Sequence, residues 1–150
     1  MKKSWLILTA VLSLSTLLLI ACGGLSTPST SLFDEAEFVR PDPPGEYSDA
    51  VNPYEGDPDA IAEGQELYQQ NCVSCHGPTG QGDGPAASAL EPEPTVLGLD
   101  QSIQSDGYLA WRITEGGLME PFRSVMPAWK GILNEDKVWK IIAYIRTFGG

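Results

Sequence analysis

One histidine, three cysteines and nine lysines plus arginines against twenty carboxylates are what this 150-residue chain has least of. Each scarcity closes off a class of function. A structural zinc cage takes two Cys pairs, or a Cys pair with two His, and Cys22, Cys72, Cys75 and His76 make neither set. A lone imidazole also rules out a metal held by two histidines of this chain. The net charge of −11 argues against nucleic-acid binding, while leaving room for a basic protein partner. No segment alternates apolar and polar residues as a half-buried strand would, and no internal repeat is visible, so the elements expected are helices and loops.

The residues that are present converge on Cys72-Val73-Ser74-Cys75-His76. A Cys-x-x-Cys-His run is the attachment signature of c-type haem: two thiols add across the haem vinyl groups and the adjacent imidazole binds iron. Two cysteines three apart at a helix end put both sulfurs on one side of a turn, and the next residue projects its ring toward the porphyrin centre. A thioredoxin-type dithiol would follow a strand and open a helix, whereas this pair follows a helical stretch. A Cys72–Cys75 disulfide would close a strained small ring and leave His76 without a role.

Cys22 points to location. Lys2 and Lys3, an apolar run from Trp5 to Ile20 and the ending Leu19-Ile20-Ala21-Cys22 read as a secretory signal over residues 1–21. The ending resembles a bacterial lipobox, in which cleavage falls just before a cysteine that carries lipid. The competing reading is a retained anchor, for which about 17 residues is the short limit. Either reading places the remainder outside the cytoplasmic membrane and tethered to it, on the periplasmic side. Losing Lys2 and Lys3 would take the net charge from −11 to −13.

Residues 22–57 are rich in Ser, Thr, Pro, Gly and acids, with Pro43-Pro44 and little periodicity, and read as a lipid-anchored linker or extended arm. Fully flexible, such an arm has a reach of roughly 30 Å. Alternatively Leu32, Phe33, Phe38, Val39 and Tyr47 pack along another subunit. Residues 58–150 form the domain. Asp57-Pro58 predicts a helix start, with Ile61, Gly64, Leu67, Tyr68 and Cys72 at helical spacing. The stretch 85–105 is expected to be irregular. Asp106 is expected to cap a helix through Tyr108, Trp111 and Ile113 that stops at Gly116-Gly117. A last helix begins near Asn134, with the stripe Val138, Ile141, Ile142 and Ile145.

What fills the second axial position of a haem iron separates electron transfer from catalysis. Apart from the initiator, the methionines are Met119 and Met126. Met126 precedes Pro127, which biases it to an extended conformation suited to a loop pressing a thioether onto the haem face. The competing readings are Met119 as the ligand, either methionine as core filler, or an open iron site.

The series Gly64-x-x-x-Tyr68, Cys72-x-x-Cys75-His76-Gly77, Gly80-x-Gly82-x-Gly84-Pro85, Gly116, Met126-Pro127-Ala128-Trp129 and Tyr144-Ile145 resembles a class I c-type cytochrome over residues 58–148. The resemblance implies an all-α fold, helices and loops wrapped around one covalently bound haem c, with the first and last helices crossing near Gly64 and Tyr144. It implies His76 and Met126 as axial ligands and a hydrogen bond from His76 Nδ1 to the Pro85 carbonyl. Arg112, Trp111 and Trp129 resemble groups that neutralise or hydrogen-bond the haem propionates. The function implied is a one-electron relay, not an enzyme. A lipoprotein signal, an acidic arm and one such domain also resemble the monohaem subunit of alternative complex III, a quinol-oxidising complex whose other subunits would be the redox partners. The alternatives are a free-swinging lipoprotein carrier serving an oxidase or reaction centre, and a haem enzyme or gas sensor with an open iron site.

Overall fold

The computed structural model describes residues 40–149, side chains of residues 100–102 excepted. The expected signal segment, Cys22 and the arm up to residue 39 lie outside the described residues. In chain order the helices described are α1 (Gly45–Ser48), α2 (Pro58–Asn71), α3 (Val73–His76), α4 (Leu97–Ile103), α5 (Asp106–Glu115) and α6 (Glu135–Ile145), with 3-10 turns at Ala87–Ala89 and Arg146–Gly149. Among the described residues the only extended pairing is one isolated bridge between Lys130 and Leu133, so the fold is all-α as expected.

Side-chain caps set the long helices. An N-cap oxygen satisfies backbone N–H groups that have no partner within the helix. Asp57 Oδ1 accepts from the Asp59 and Ala60 nitrogens at 2.9 and 3.2 Å, and Asn134 accepts from Lys137 N at 3.0 Å. At α5 the cap is Ser105, which accepts from Tyr108 N at 3.0 Å, rather than Asp106. Asp106 is thereby left to bind elsewhere. Its carboxylate accepts Arg146 Nε and Asn52 N, both at 2.9 Å.

The core forms where α2 and α5 meet α6. Tyr68, Ile141 and Ile142 are fully buried, with Leu109, Ile113, Val138 and Ile145 around them. A Cβ at Gly64 would lie 2.0 Å from the Lys140 carbonyl oxygen and 3.2 Å from Ile141 N. The missing side chain therefore admits the α6 backbone. Tyr144 packs one turn further along, edge-on to Tyr68 with centroids 5.4 Å apart.

Two segments are more ordered than their composition suggested. Within 85–105, Leu97 N donates to Gly80 O at 2.7 Å, and α4 starts there and packs on the C-terminal 3-10 turn. Residues 40–57, expected as the distal part of a linker, belong to the same packed unit as the helices that follow. Buried Asn52 explains this: its Nδ2 donates to Trp139 O at 3.0 Å and its Oδ1 accepts Tyr54 N at 2.9 Å. The Tyr54 hydroxyl donates to Asp136, and the half-buried Tyr47 packs against the core. Polar side chains hold this segment, so hydrophobic periodicity carried no sign of it.

Gly64→Ala should destabilise the domain by about 1–3 kcal/mol or more, because rigid backbone has to give way; thermal unfolding of the holoprotein measures it. Asn52→Ala should cost about 1–3 kcal/mol by removing the bond to Trp139 O and leaving Tyr54 N without its acceptor, and an unchanged melting temperature would count against the packed position of residues 40–57.

Candidate haem site

Helix α2 turns directly into α3 at Cys72, whose nitrogen donates to Tyr68 O at 2.8 Å while its carbonyl accepts the nitrogens of Cys75 and His76 at 3.2 and 3.0 Å. These bonds wrap both cysteines and the histidine around a single turn. The fully buried Tyr68 donates its hydroxyl to Gly77 O at 2.8 Å, fixing the chain just after His76. The following loop folds back over the turn: Gly82 N reaches His76 O at 2.9 Å, Gly84 N reaches Cys75 O at 3.2 Å and Ala86 N reaches Ser74 O at 2.9 Å.

Those same bonds correct the expected partner of His76. Pro85 is exposed and lies between two residues tied to the α3 backbone. The Leu97–Gly80 bond instead lays residues 94–97 across the loop, and His76 Nδ1 sits 3.2 Å from Thr95 O. A carbonyl can only accept, so Nδ1 carries the proton and Nε2 presents its lone pair. Burial pulls the imidazole below its ordinary range, partly opposed by the Thr95 bond, which favours the neutral, metal-binding form. Burial, and then the neighbouring Cys75, push the Cys72 thiol up to about 12.

The second wall is α5 and the chain that returns along it. Trp129 N donates to Ile113 O at 3.1 Å and Lys130 N to Thr114 O at 3.0 Å, tying the return to the end of the helix. Gly116, at φ 73°, makes the turn; a Cβ there would lie 2.7 Å from Met126 O and 2.6 Å from Ala128 N. The Met126 backbone thus runs flush against the helix terminus, and Gly117 N donates to Met126 O at 2.9 Å. Cys72, Met119, Phe122, Met126 and Trp129 are half-buried and pack against the same core. Trp111 is buried within that core, and the Arg112 guanidinium lies over the Phe122 ring, 3.4 Å from its centroid.

A haem fits these residues. Cys72, Met119, Phe122, Met126 and Trp129 offer half-buried apolar surface, the imidazole is oriented with Nε2 available, and Arg112 Nη1 is buried without a hydrogen-bond partner among the described residues. An orphaned buried guanidinium nitrogen is costly, and a haem propionate is an acceptor of the right charge. Thr95 and Phe122 were not anticipated from sequence. Thr95 acts through a backbone carbonyl that any residue supplies, and nothing in the spacing of Phe122 distinguishes it from core filler. Of the expected set, Pro85 stands apart, and Cys22 is outside the described residues.

The fold and this site define a class I c-type cytochrome. Residues 59–145 match the family described as cytochrome c oxidase, cbb3-type, subunit III, and the chain belongs to that family. Among curated relatives, the cbb3-type cytochrome c oxidase subunit CcoP of Azospirillum sp. (strain B510) is 29% identical over 111 residues, 70% of this chain and 34% of that protein. The subunit FixP of Bradyrhizobium sp. (strain ORS 278) is 31% identical over 91 residues, 59% of this chain and 28% of that protein. The chain thus spans about a third of the length of these relatives. Cytochrome c6 of Tetradesmus obliquus is 26% identical over 57% of this chain and 86% of its own. A chain of the reducing HAO-like protein complex of Kuenenia stuttgartiensis superposes with a TM-score of 0.55 at 24% identity, over 75% of this chain and 52% of that one, a likeness of fold. Family membership implies covalently bound haem c and a part in electron transfer.

Tyr68→Phe should cost about 1–2 kcal/mol, since Gly77 O keeps only the longer bond from Gly80 N. Denaturant unfolding of the holoprotein, followed at the haem absorbance, checks it.

Proposed function

We propose that this chain is a membrane-tethered monohaem cytochrome c that passes single electrons between proteins, with Cys72 and Cys75 holding the haem and His76 and Met126 as its axial ligands. The observation that carries the reading is the His76 ring, oriented by Thr95 O with Nε2 presented. When bound, haem c supplies a one-electron couple. The protein's part is to hold the ligands still: Thr95 O fixes the imidazole, and Gly116 and Gly117 pin the Met126 backbone. A rigid six-coordinate site changes little between oxidation states, and a thioether ligand raises the potential relative to a second imidazole.

The tether is Cys22, lipidated after loss of residues 1–21, which puts the domain on the periplasmic face of a bacterial membrane. No helix among the described residues is long and apolar enough to cross a membrane. The partners are other subunits of a membrane electron-transfer complex, such as a quinol-oxidising complex of the alternative complex III type. The relatives named as oxidase subunits support a place in an assembly. A second reading is a free lipid-anchored carrier; the match to most of cytochrome c6 favours it, as does Tyr47 being occupied in its own core. Extraction under mild detergent separates the two: co-purification with other redox subunits supports the complex, and recovery as a monomer supports the carrier.

Met126→His should keep the haem attached and lower the midpoint potential, because imidazole replaces thioether. Met126→Ala should change the visible spectrum while Met119→Ala leaves it unchanged. The reverse outcome would move the axial role to Met119.

A further inference from the structure

The last turn of the chain sits against the strand of loop that orients His76. Phe148 lies in the 3-10 turn Arg146–Gly149, and its ring fills a notch left by a glycine: a Cβ at Gly80 would stand 2.6 Å from Phe148 Cδ2 and 3.1 Å from Leu97 Cβ. The same ring meets Tyr68 and Tyr144 edge-on, with centroids 5.3 and 5.0 Å away. Its backbone closes on α4, since a Cβ at Gly98 would stand 3.3 Å from Phe148 O. Beyond the far end of α4, Arg146 Nη2 donates to Gln104 O at 2.9 Å. The C-terminal turn therefore grips α4 at both ends. The segment leading into α4 carries Thr95, whose side chain is exposed. Two backbone contacts locate its carbonyl: the bond from Leu97 N to Gly80 O at 2.7 Å, and the approach of Pro94 O to Gly82, 2.5 Å from where a Cβ would stand. Phe148 stands behind the first of them.

We propose that Phe148 is a positioning residue for the axial histidine: its ring, wedged among Gly80, Leu97 and Tyr68, keeps the Leu97–Gly80 bond closed and so holds Thr95 O on His76 Nδ1. The inference rests on the haem reading above and gives the C-terminal turn a part in setting the potential. A carbonyl accepting from Nδ1 makes the imidazole a stronger donor to the iron, which favours the oxidised form. Slack in the Thr95 segment weakens that bond and moves the balance toward the reduced form. Phe148 also backs Tyr68, whose hydroxyl holds Gly77 O. Both the chain just after His76 and the carbonyl facing its ring thus lean on one terminal side chain.

The test compares holoproteins carrying Phe148→Leu, Phe148→Val and Phe148→Ala with wild type and with Asn52→Ala, which loosens the fold away from the Thr95 segment. Two quantities are read: the midpoint potential, and the solvent exchange of the His76 Nδ1 proton followed by NMR in the reduced state. Phe148→Ala should shift the reduction equilibrium toward the reduced form by up to about tenfold, about 59 mV for one electron, and speed the proton exchange in parallel. Phe148→Val should give a smaller shift of the same sign, which carries the test if the alanine variant does not fold, and Phe148→Leu should keep most of the wild-type behaviour. Asn52→Ala should lower the melting temperature and move neither quantity. Unchanged potential and exchange in the Phe148 variants would overturn the proposal. So would a fall in potential, the mark of water entering the pocket, or an equal response from Asn52→Ala, the mark of general loosening. A wild-type protein with thioether-bound haem but a rapidly exchanging Nδ1 proton would overturn this inference alone, whereas a wild-type chain without such haem would overturn the haem reading itself.

Discussion

Where α2 crosses α6, the Lys140 carbonyl occupies the space a side chain at position 64 would need. That approach brings the two helices close enough for Tyr68 to be wholly buried between Tyr144 and Phe148, edge-on to both rings. Tyr68 then has one direction in which to send its hydroxyl, toward Gly77 O. The Cys72–His76 turn is positioned from the far end of the crossing, so a change at Gly64 propagates to the His76 segment through the buried Tyr68 side chain. Lys140, half-buried, adds ion pairs with the more exposed Glu63 and Asp136 at the same crossing.

Backbone, more than side chains, shapes the pocket. His76 is oriented by a carbonyl, the loop after it is closed by three N–H groups, and the Met126 segment is pressed onto α5 through a glycine. A site built this way is rigid because few of its bonds can rotate away, which suits electron transfer. The polar side chains that matter sit one layer out: Arg112 against Phe122, and Asp106 joining Arg146 to Asn52.

Much of this was legible in the sequence. Cys-x-x-Cys-His is specific because the chemistry demands it, and the caps at Asp57 and Asn134 are local decisions of a few residues. What escaped was non-local. Whether Pro85 or Thr95 supplies the carbonyl depends on how the chain between them returns, which the bond from Leu97 N to Gly80 O decides. Ser105 took the cap expected of Asp106 because a hydroxyl one residue earlier reaches Tyr108 N, leaving the stronger acceptor for a distant arginine. Residues 40–57 looked like a tether by composition, yet one buried asparagine and two tyrosines fasten them to the helices.

The proposed histidine–methionine iron would sit among ligands held by the backbone before any electron arrives. The oxidised protein's near-infrared spectrum tests it most directly. With Met126 on the iron, a weak sulfur-to-iron charge-transfer band should appear together with a low-spin visible spectrum. A high-spin spectrum, or rapid carbon monoxide binding to the reduced form, would contradict it.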